Sequence, residues 1–189
     1  TGLLLSALSA QVTIDFPDFI PNGIQMDMYL MTSPATTPEL SDGFNQTWDL
    51  STITLQPIGT LAAIPAAGSP YAATYPSANW AWDQTVTGLG TDYTYLDITT
   101  TAVNVLARNV PTATNNFTDP EQIMKFPLAY GESFSDTYVD NSGTSLIAWV
   151  YAGHGTAITP LGNFTDVVKL ESSQGDLLLW NTSPLYPIL

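Results

Sequence analysis

The single histidine of the chain, His154, lies between two glycines in the stretch AGHGTAITP, residues 152–160. Imidazole is the usual proton carrier near neutral pH, so this residue is the first candidate for acid–base chemistry. A Ser–His–Asp triad would also use a serine in a G-x-S-x-G elbow, and the sequence contains no such elbow. Glycines on both sides are typical of a chain reversal or a β-bulge with positive φ. The sequence therefore predicts that His154 sits in a tight link between two strands and is not catalytic.

Paired carboxylates are a second kind of chemistry, because glycoside hydrolases place two of them across a sugar. The chain has 17 acidic residues, so pairs are easy to find by spacing alone. Glu132 and Asp136 are four residues apart in an alternating stretch, which predicts that they share one face of a strand. An extracellular glycan hydrolase that uses such a pair is one alternative function.

Oxygen-rich turns indicate a possible calcium site, since Ca²⁺ prefers carboxylate and carbonyl ligands. The residues of interest are Asp140 and Asn141 in DNSG, Asp119 and Glu121 in FTDPEQ, and the turn SDG over 41–43. None of these stretches matches the D-x-[DN]-x-[DN]-G calcium loop, and Asp and Asn are also ordinary turn formers. The chain has no cysteine, which excludes thiolate catalysis and cysteine-based zinc sites. We therefore expect no cofactor, with Ca²⁺ as the alternative.

Aromatic side chains next to a Pro-rich loop suggest a third chemistry, the stacking of sugars on exposed rings. Trp80 and Trp82 would lie on one face of an extended strand, and Tyr75 precedes them in the loop over 65–79. Aromatic residues also dominate sheet packing, so a position in the core is the competing interpretation of the two tryptophans. A carbohydrate-binding module that uses Trp80, Trp82 and Tyr75 is a second alternative function.

Charge limits the partners of the chain. Three basic residues face 17 acidic ones, giving a formal net charge of −14 in 189 residues. Nucleic-acid binding needs clusters of Lys and Arg, which are not present, and binding to anionic membranes is disfavoured for the same reason. The remaining expectations are a glycan or protein partner and self-assembly through edge strands.

The element pattern predicts an all-β domain over residues 11–189. Strand-forming residues alternate with turn residues at roughly 8–12 residue spacing, as in sandwiches and barrels, and no long window shows helical periodicity. We expect an antiparallel β-sandwich of the jelly-roll or Ig-like kind, with a curved sheet or barrel of the lipid-carrier type as the alternative. A loop is predicted over 65–79 and a loop or one helical turn over 111–122, while the stretch 52–64 is one or two strands divided at Pro57. The other predicted strands cover 12–16, 24–31, 44–50, 80–86, 92–110 (two strands), 123–128, 132–139, 145–152, 165–173 and 177–182.

The first ten residues, TGLLLSALSA, are apolar and end in small residues. This pattern is typical of the end of a secretory signal peptide, and ten residues are too few to span a bilayer. We therefore expect residues 1–10 to be the remnant of a signal peptide and the mature chain to begin near Gln11.

Two stretches, KFPLAYGESFSDTY and AGHGTAITPLGNFTDVVKL, resemble a recurring pattern in secreted proteins of Bacteroidetes, particularly flavobacteria. NQTWDLST resembles their N-terminal half, so the likeness touches most of the chain and is dense over 125–170. The position of His154 is more often tyrosine in that family. The matching residues are Phe126, Pro127, Leu128, Tyr130, Gly131, Ser133, Phe134, Asp136, Gly153, Gly155, Thr156, Pro160, Gly162, Phe164, Val167 and Val168.

The resemblance implies export by the type IX secretion route. In the resembling proteins a signal peptide precedes this domain, a sorting domain usually follows it, and the domain has no assigned activity. Together with the residue patterns, this leads us to expect a secreted or cell-surface β module that is not catalytic. Its role would be adhesive, structural or binding, with the two alternatives above kept open.

Overall fold

The computed structural model describes residues 12–16, 24–33, 38–182 and 185–187, and it confirms the all-β prediction. Strands account for 69% of the described residues, and these residues contain no α-helix. The predicted signal-peptide remnant and Gln11 lie outside the described residues. No described segment is a helix long and apolar enough to cross a membrane.

Fourteen strands make up the described part of the fold, with one 3₁₀ turn at Ala66–Gly68. Short turns connect most of them, as the Gly, Asn and Asp residues of the sequence predict. The strands are β1 (Thr13–Ile14), β2 (Gln25–Ser33), β3 (Gly43–Asp49), β4 (Thr54–Pro65), β5 (Trp80–Val86), β6 (Gly90–Ile98), β7 (Ala102–Val110), β8 (Asn115–Lys125), β9 (Leu128–Ala129), β10 (Ser133–Asp140), β11 (Gly143–Thr159), β12 (Gly162–Ser172), β13 (Leu177–Thr182) and β14 (Leu185–Pro187).

Two groups of strands form the sheet. The first has the order β2-β4-β5-β6-β7-β8, and the second has the order β10-β11-β12-β13-β14 with β3 also beside β11. One register pair, Asp119 with Val139, connects β8 to β10 and so links the groups. All neighbouring strands are antiparallel except β3 and β11, which are parallel.

The two groups pack face to face around one main core. Leu96, Val103 and Met124 come from the first group, while Ile147 and Leu170 come from the second, and all are almost fully buried in one cluster. Burying such side chains between two sheets is the main stabilising contribution in a sandwich. The antiparallel all-β architecture is sandwich-like, and the sheet does not close on itself among the described strands, which contradicts a closed barrel.

Two smaller clusters stabilise the ends of the sandwich. One gathers Leu40, Trp48 and Leu50 around β3 against Val167 and Leu179 of β12 and β13. The other lies under the loop 66–79, on the opposite face of β5 and β6 from the main core. Its buried members are Ala66, Ala81, Tyr95, Ala107 and Val110.

The stretch containing His154 is the main departure from the sequence prediction. Residues 153–155 are not a link between two strands, because they lie inside β11, a single strand of 17 residues. β10 covers one edge of β11 over residues 143–150, and β3 then occupies the same edge over 153–158. The glycines are explained by this close approach: a Cβ atom on Gly155 would lie 2.0 Å from the Gln46 carbonyl oxygen.

The structure also corrects the prediction for 111–122 and decides between the alternatives for 52–64. The stretch 111–122 is not all loop, because β8 begins at Asn115 and runs through Pro120. Its polar residues belong to the half-exposed surface of a strand, which is a pattern that resembles a turn in sequence. Pro57 does not divide 52–64, because a register shift opposite Met28 and Tyr29 accommodates it within the single strand β4.

Gly155→Ala should destabilise the fold by about 3 kcal/mol or more, because the new methyl group would overlap the backbone of β3. Gly68→Ala is the matched control, since a Cβ atom there meets nothing within 4 Å. Urea unfolding followed by tryptophan fluorescence measures both variants. Equal stability of the two would show that β3 does not pack against β11 in this way.

Candidate functional site

A cleft beside the start of β3 is the first candidate site, and we call it the Lys169 cleft. It has a volume of about 600 Å³ and is lined by Pro38, Glu39, Leu40, Ser41, Asp42, Lys169, Glu171, Gly175 and Leu177. Its carboxylates are Glu39, Asp42 and Glu171. Among these residues the sequence pattern points only to Ser41 and Asp42, in the oxygen-rich turn SDG, because the lining comes from separate parts of the chain.

The side chain of Lys169 forms the floor of the cleft and is only 1% exposed. Its Nζ atom donates to the Leu40 carbonyl oxygen, to Asp42 Oδ1 at 2.6 Å and to Glu171 Oε1 at 2.7 Å. An ammonium group has three N–H donors, so these contacts use all of them. The buried charge is therefore fully paired, as a buried charge must be to be tolerated.

The strand register places the amine next to Asp42. Gly153 of β11 is in register with Lys169 of β12 on one side and with Gly43 of β3 on the other. A Cβ atom on Gly153 would be 3.3 Å from Lys169 Cβ and 2.9 Å from the Trp48 ring. The absence of a side chain at Gly153 thus leaves room for the lysine to cross β11 toward Asp42.

Hydrogen bonds also hold the segment that carries Asp42. Trp48, which is 2% exposed, donates its ring N–H to the Ser41 carbonyl oxygen at 2.9 Å. The Ser41 hydroxyl donates to Gln46 Oε1 at 2.8 Å. Because β3 itself is fixed against β11, these bonds give Asp42 a defined position.

Electrostatics favour the charged form of the lysine. Burial alone would lower the pKa of Lys169, but the hydrogen bonds and charges of Asp42 and Glu171 outweigh it and raise the pKa. The resting state of the cluster is therefore an ammonium group between two carboxylates.

His154 occupies a second, drier site. Its side chain is buried, and its ring stacks on Phe44 of β3 with centroids 5.1 Å apart. Tyr130 contacts Phe44 edge-on at 5.6 Å and Tyr151 at 5.7 Å. Neither ring nitrogen of His154 has a hydrogen-bond partner among the described residues.

Burial lowers the pKa of His154, because charging the ring would place a cation in an apolar site. The carboxylate of Asp166, with Oδ1 4.0 Å from Nε2, acts in the opposite direction and only partly offsets the effect. The histidine is therefore neutral at neutral pH and serves as an aromatic packing partner of β3.

The predicted sugar-binding aromatics are divided between two faces of the sheet. Trp80 and Trp82 lie on the same face of β5, and both are half-buried against the main core. Tyr75 packs on the opposite face, in the cluster that contains Ala81 and Tyr95. The structure therefore brings Trp80 and Trp82 together and separates Tyr75 from them.

Tyr75 instead belongs to a group of four tyrosines that we call the tyrosine patch: Tyr71, Tyr75, Tyr93 and Tyr95. Tyr75 stacks on Tyr95 with centroids 4.4 Å apart, and Tyr71 contacts Tyr93 edge-on at 6.0 Å. The buried Tyr95 hydroxyl bonds to the Ser69 hydroxyl at 2.8 Å and accepts the Tyr71 backbone N–H at 3.1 Å. These bonds fix the loop 66–79 over the sheet.

Tyr75 and Tyr93 of the tyrosine patch keep their hydroxyl protons at neutral pH. Burial raises the pKa of Tyr93, and the negative charge of Asp83, its register partner on β5, adds to the effect. Burial likewise raises the pKa of Tyr75, whose hydroxyl donates to Asn116 Oδ1 at 2.7 Å. The result is a rigid set of half-buried rings beside a carboxylate.

The predicted calcium ligands are used in turn and strand contacts. Asp140 accepts from the Asn115 side chain at 3.0 Å and from the Ser142 backbone at 2.8 Å, and these bonds lower its pKa. Asn141 donates its side-chain N–H to the Thr114 carbonyl oxygen at 2.9 Å. The two residues thus fasten the β10–β11 turn to the start of β8.

The other two predicted ligands, Asp119 and Glu121, lie on β8. Asp119 is exposed, while Glu121 is 4% exposed and forms an ion pair with Arg108 at 2.9 Å. Burial raises the pKa of Glu121, although the Arg108 charge lowers it in part. Within the described ranges, no three His, Asp or Glu side chains converge as metal ligands.

The predicted carboxylate pair is also engaged with the backbone. Glu132 lies just before β10 and accepts the Ala129 N–H at 3.1 Å, whereas Asp136 lies on β10 and accepts the Gln122 N–H at 2.7 Å. Both carboxylates therefore support neighbouring segments.

Comparison of the whole chain with protein-family models, curated proteins and solved structures finds no match.

Acidification should destabilise the protein through His154. Its folded-state pKa lies below the ordinary value of 6.5, so protonation favours the unfolded chain. This loss of stability should begin as the pH falls through about 6.5 and end below the lowered pKa. His154→Phe keeps an aromatic ring and removes the proton site, so it should lose this component.

The measurement is the free energy of unfolding in urea at a series of pH values from 7.5 to about 5. The difference between the wild type and His154→Phe isolates the histidine from the carboxylates, which titrate in both proteins. A difference that does not change with pH would contradict the proposed burial of a neutral imidazole.

Proposed function

We propose that this chain is a non-catalytic β module of an exported protein, acting outside the cell or at its surface as a structural or binding domain. The apolar start of the sequence and the resemblance to secreted Bacteroidetes proteins support export. The all-β sandwich-like fold and the acidic composition are compatible with that location.

The observation that carries the proposal is that charged side chains form ion pairs and hydrogen bonds between strands. Lys169 ties β12 to the segment before β3, and Arg108 ties β7 to Glu121 of β8. Asp136 similarly ties β10 to the β8 backbone through Gln122. Groups that could perform acid–base chemistry are thus engaged in holding strands together, which supports a structural or binding role over hydrolysis.

Localisation tests the first half of this proposal. We expect the natural full-length precursor, expressed in a flavobacterial host, to appear at the cell surface or in the medium. A protease added to intact cells should digest the surface fraction, while a cytoplasmic marker in the same cells stays intact. Retention of the chain with that marker would contradict export.

The proposal of a non-catalytic role predicts that Glu132→Gln lowers stability without removing a catalytic function. In the variant a neutral amide oxygen replaces the carboxylate as acceptor of the Ala129 N–H, which weakens this hydrogen bond. The free energy of unfolding should therefore fall by about 1 kcal/mol. Exposure of both proteins to a panel of polysaccharides should release no reducing ends above background. Turnover by the wild type that disappears in a folded Glu132→Gln variant would favour the hydrolase alternative.

Carbohydrate binding is a second candidate function, favoured by the tyrosine patch. Tyr93 lies beside the Asp83 carboxylate, and Tyr71 and Tyr75 are half-buried in the same cluster. Binding sites for small polar ligands commonly combine aromatic walls with a few such polar groups. Trp80 and Trp82 are not part of this surface, because they lie on the opposite face of β5 and pack against the main core.

Tyr71→Ala and Asp83→Asn should each weaken glycan binding about tenfold, equivalent to about 1.4 kcal/mol. Tyr29→Ala is the matched control, because Tyr29 is 36% exposed on β2 and lies outside the patch. A glycan array followed by calorimetry with a positive glycan provides the measurement. Binding that survives both patch variants and fails in folded Trp82→Ala would assign the sugar to the opposite face.

A further inference from the structure

The cluster of Lys169, Asp42 and Glu171 differs from a surface ion pair because its amine is buried and contacts two carboxylates. A primary amine that is almost fully buried lies within hydrogen-bond distance of one carboxylate from a distant segment and of a second carboxylate on its own strand. Lys169 and Asp42 are 127 positions apart in sequence. These are the components for joining two segments covalently: a nucleophile, an acyl group and a proton carrier.

We propose that the Lys169 amine and the Asp42 carboxyl group condense into an intramolecular amide, with Glu171 transferring the proton between them. This inference goes beyond the proposed function and does not depend on any ligand. It assigns a covalent modification to the described residues that explains why a lysine is buried at this point of β12.

The reaction is balanced without an oxidant or a co-reactant. Glu171 accepts a proton from the Lys169 ammonium group, and the freed Nζ lone pair attacks Asp42 Cγ, forming the new C–N bond. One Asp42 oxygen then takes two protons and leaves as water, which breaks the C–O bond. An ammonium and a carboxylate become a neutral amide and one water, with no net gain or loss of protons.

Positioning is the main contribution of the fold to this step. Gly153 lets the lysine cross β11, and the Trp48 hydrogen bond to the Ser41 carbonyl oxygen holds the segment that carries Asp42. Holding two reacting groups in contact replaces a bimolecular encounter and supplies a high effective concentration. Nζ and Asp42 Oδ1 are already 2.6 Å apart.

The surroundings give the leaving water a path. Asp42 is 67% exposed and Glu171 40% exposed on the cleft side, whereas the lysine is buried beneath them. Water can therefore leave through the cleft, while the amine cannot move away from the carboxyl group without unpairing its charge. The product would link β12 to the start of β3 across the intervening strand β11.

Mass spectrometry of the intact, denatured full-length chain tests the proposal. We expect the wild type to be lighter than its sequence by one water, and Asp42→Ala and Glu171→Gln to have their full sequence masses. Asp49→Ala is the matched control, since it removes an exposed aspartate at the far end of β3, the strand that follows Asp42. That variant should lose one water as the wild type does.

Trypsin digestion locates the bond, because the chain has only three cleavage sites, after Arg108, Lys125 and Lys169. In the cross-linked chain Lys169 is not cleaved, and the peptide 1–108 stays attached to 126–189. Dehydration within Asp42-Gly43 alone would also remove one water, yet would leave Lys169 cleavable. Absence of the linked peptide from the wild type, or its persistence in Asp42→Ala, would overturn the proposal.

Discussion

The parallel pairing of β3 with the second half of β11 is the constraint on which the rest of the structure depends. β10 leaves this edge after Val150, and β3 takes its place from Gly153 onward. The exchange is possible because Gly153 and Gly155 have no side chains to meet the incoming backbone. Three features follow from it: Phe44 covers His154, Trp48 enters a core cluster, and Asp42 reaches Lys169.

This pairing joins segments more than 100 positions apart, so its formation carries a loop-closure cost that local contacts do not repay. The Lys169 cluster and the Trp48 hydrogen bond lie at the start of β3, where the strand would otherwise separate most readily. At the other end, the Leu50 N–H donates to the Ile158 carbonyl oxygen at 2.7 Å. Interactions at both ends of β3 therefore offset the loop-closure cost of pairing it with β11, which is remote in sequence.

Local patterns in the sequence predicted much of the fold, because alternation reports which face of a strand is buried. Phe44, Gln46 and Trp48 alternate with exposed neighbours in β3 as predicted, and the turn at Asn141–Ser142 is where the DNSG signal places it. The first part of β8, before the strand predicted at 123–128, was missed because Thr118, Asp119 and Pro120 have the composition of a turn. Their place in a strand depends on pairing with β7 and β10, which local sequence does not encode.

The glycines around His154 show the same limit more clearly. Glycine permits both positive φ angles and close backbone approach, and the predicted tight link rested on the first property. Only the position of β3, which is encoded far from residues 153–155, distinguishes the two. The Lys169 cleft was missed for a related reason: Asp42 and Lys169 are ordinary residues until the register of β3, β11 and β12 places them side by side.

The scarcity of basic residues affects both the internal ion pairs and the electrostatic interactions between molecules. Of the three, Arg108 and Lys169 are committed to internal pairs with Glu121, Asp42 and Glu171, and Lys125 is exposed. With a formal net charge of −14, two copies repel each other at low ionic strength, which opposes pairing of the end strands β2 or β14 between copies. Salt screens this repulsion, so its effect on contacts between copies decreases as the ionic strength rises.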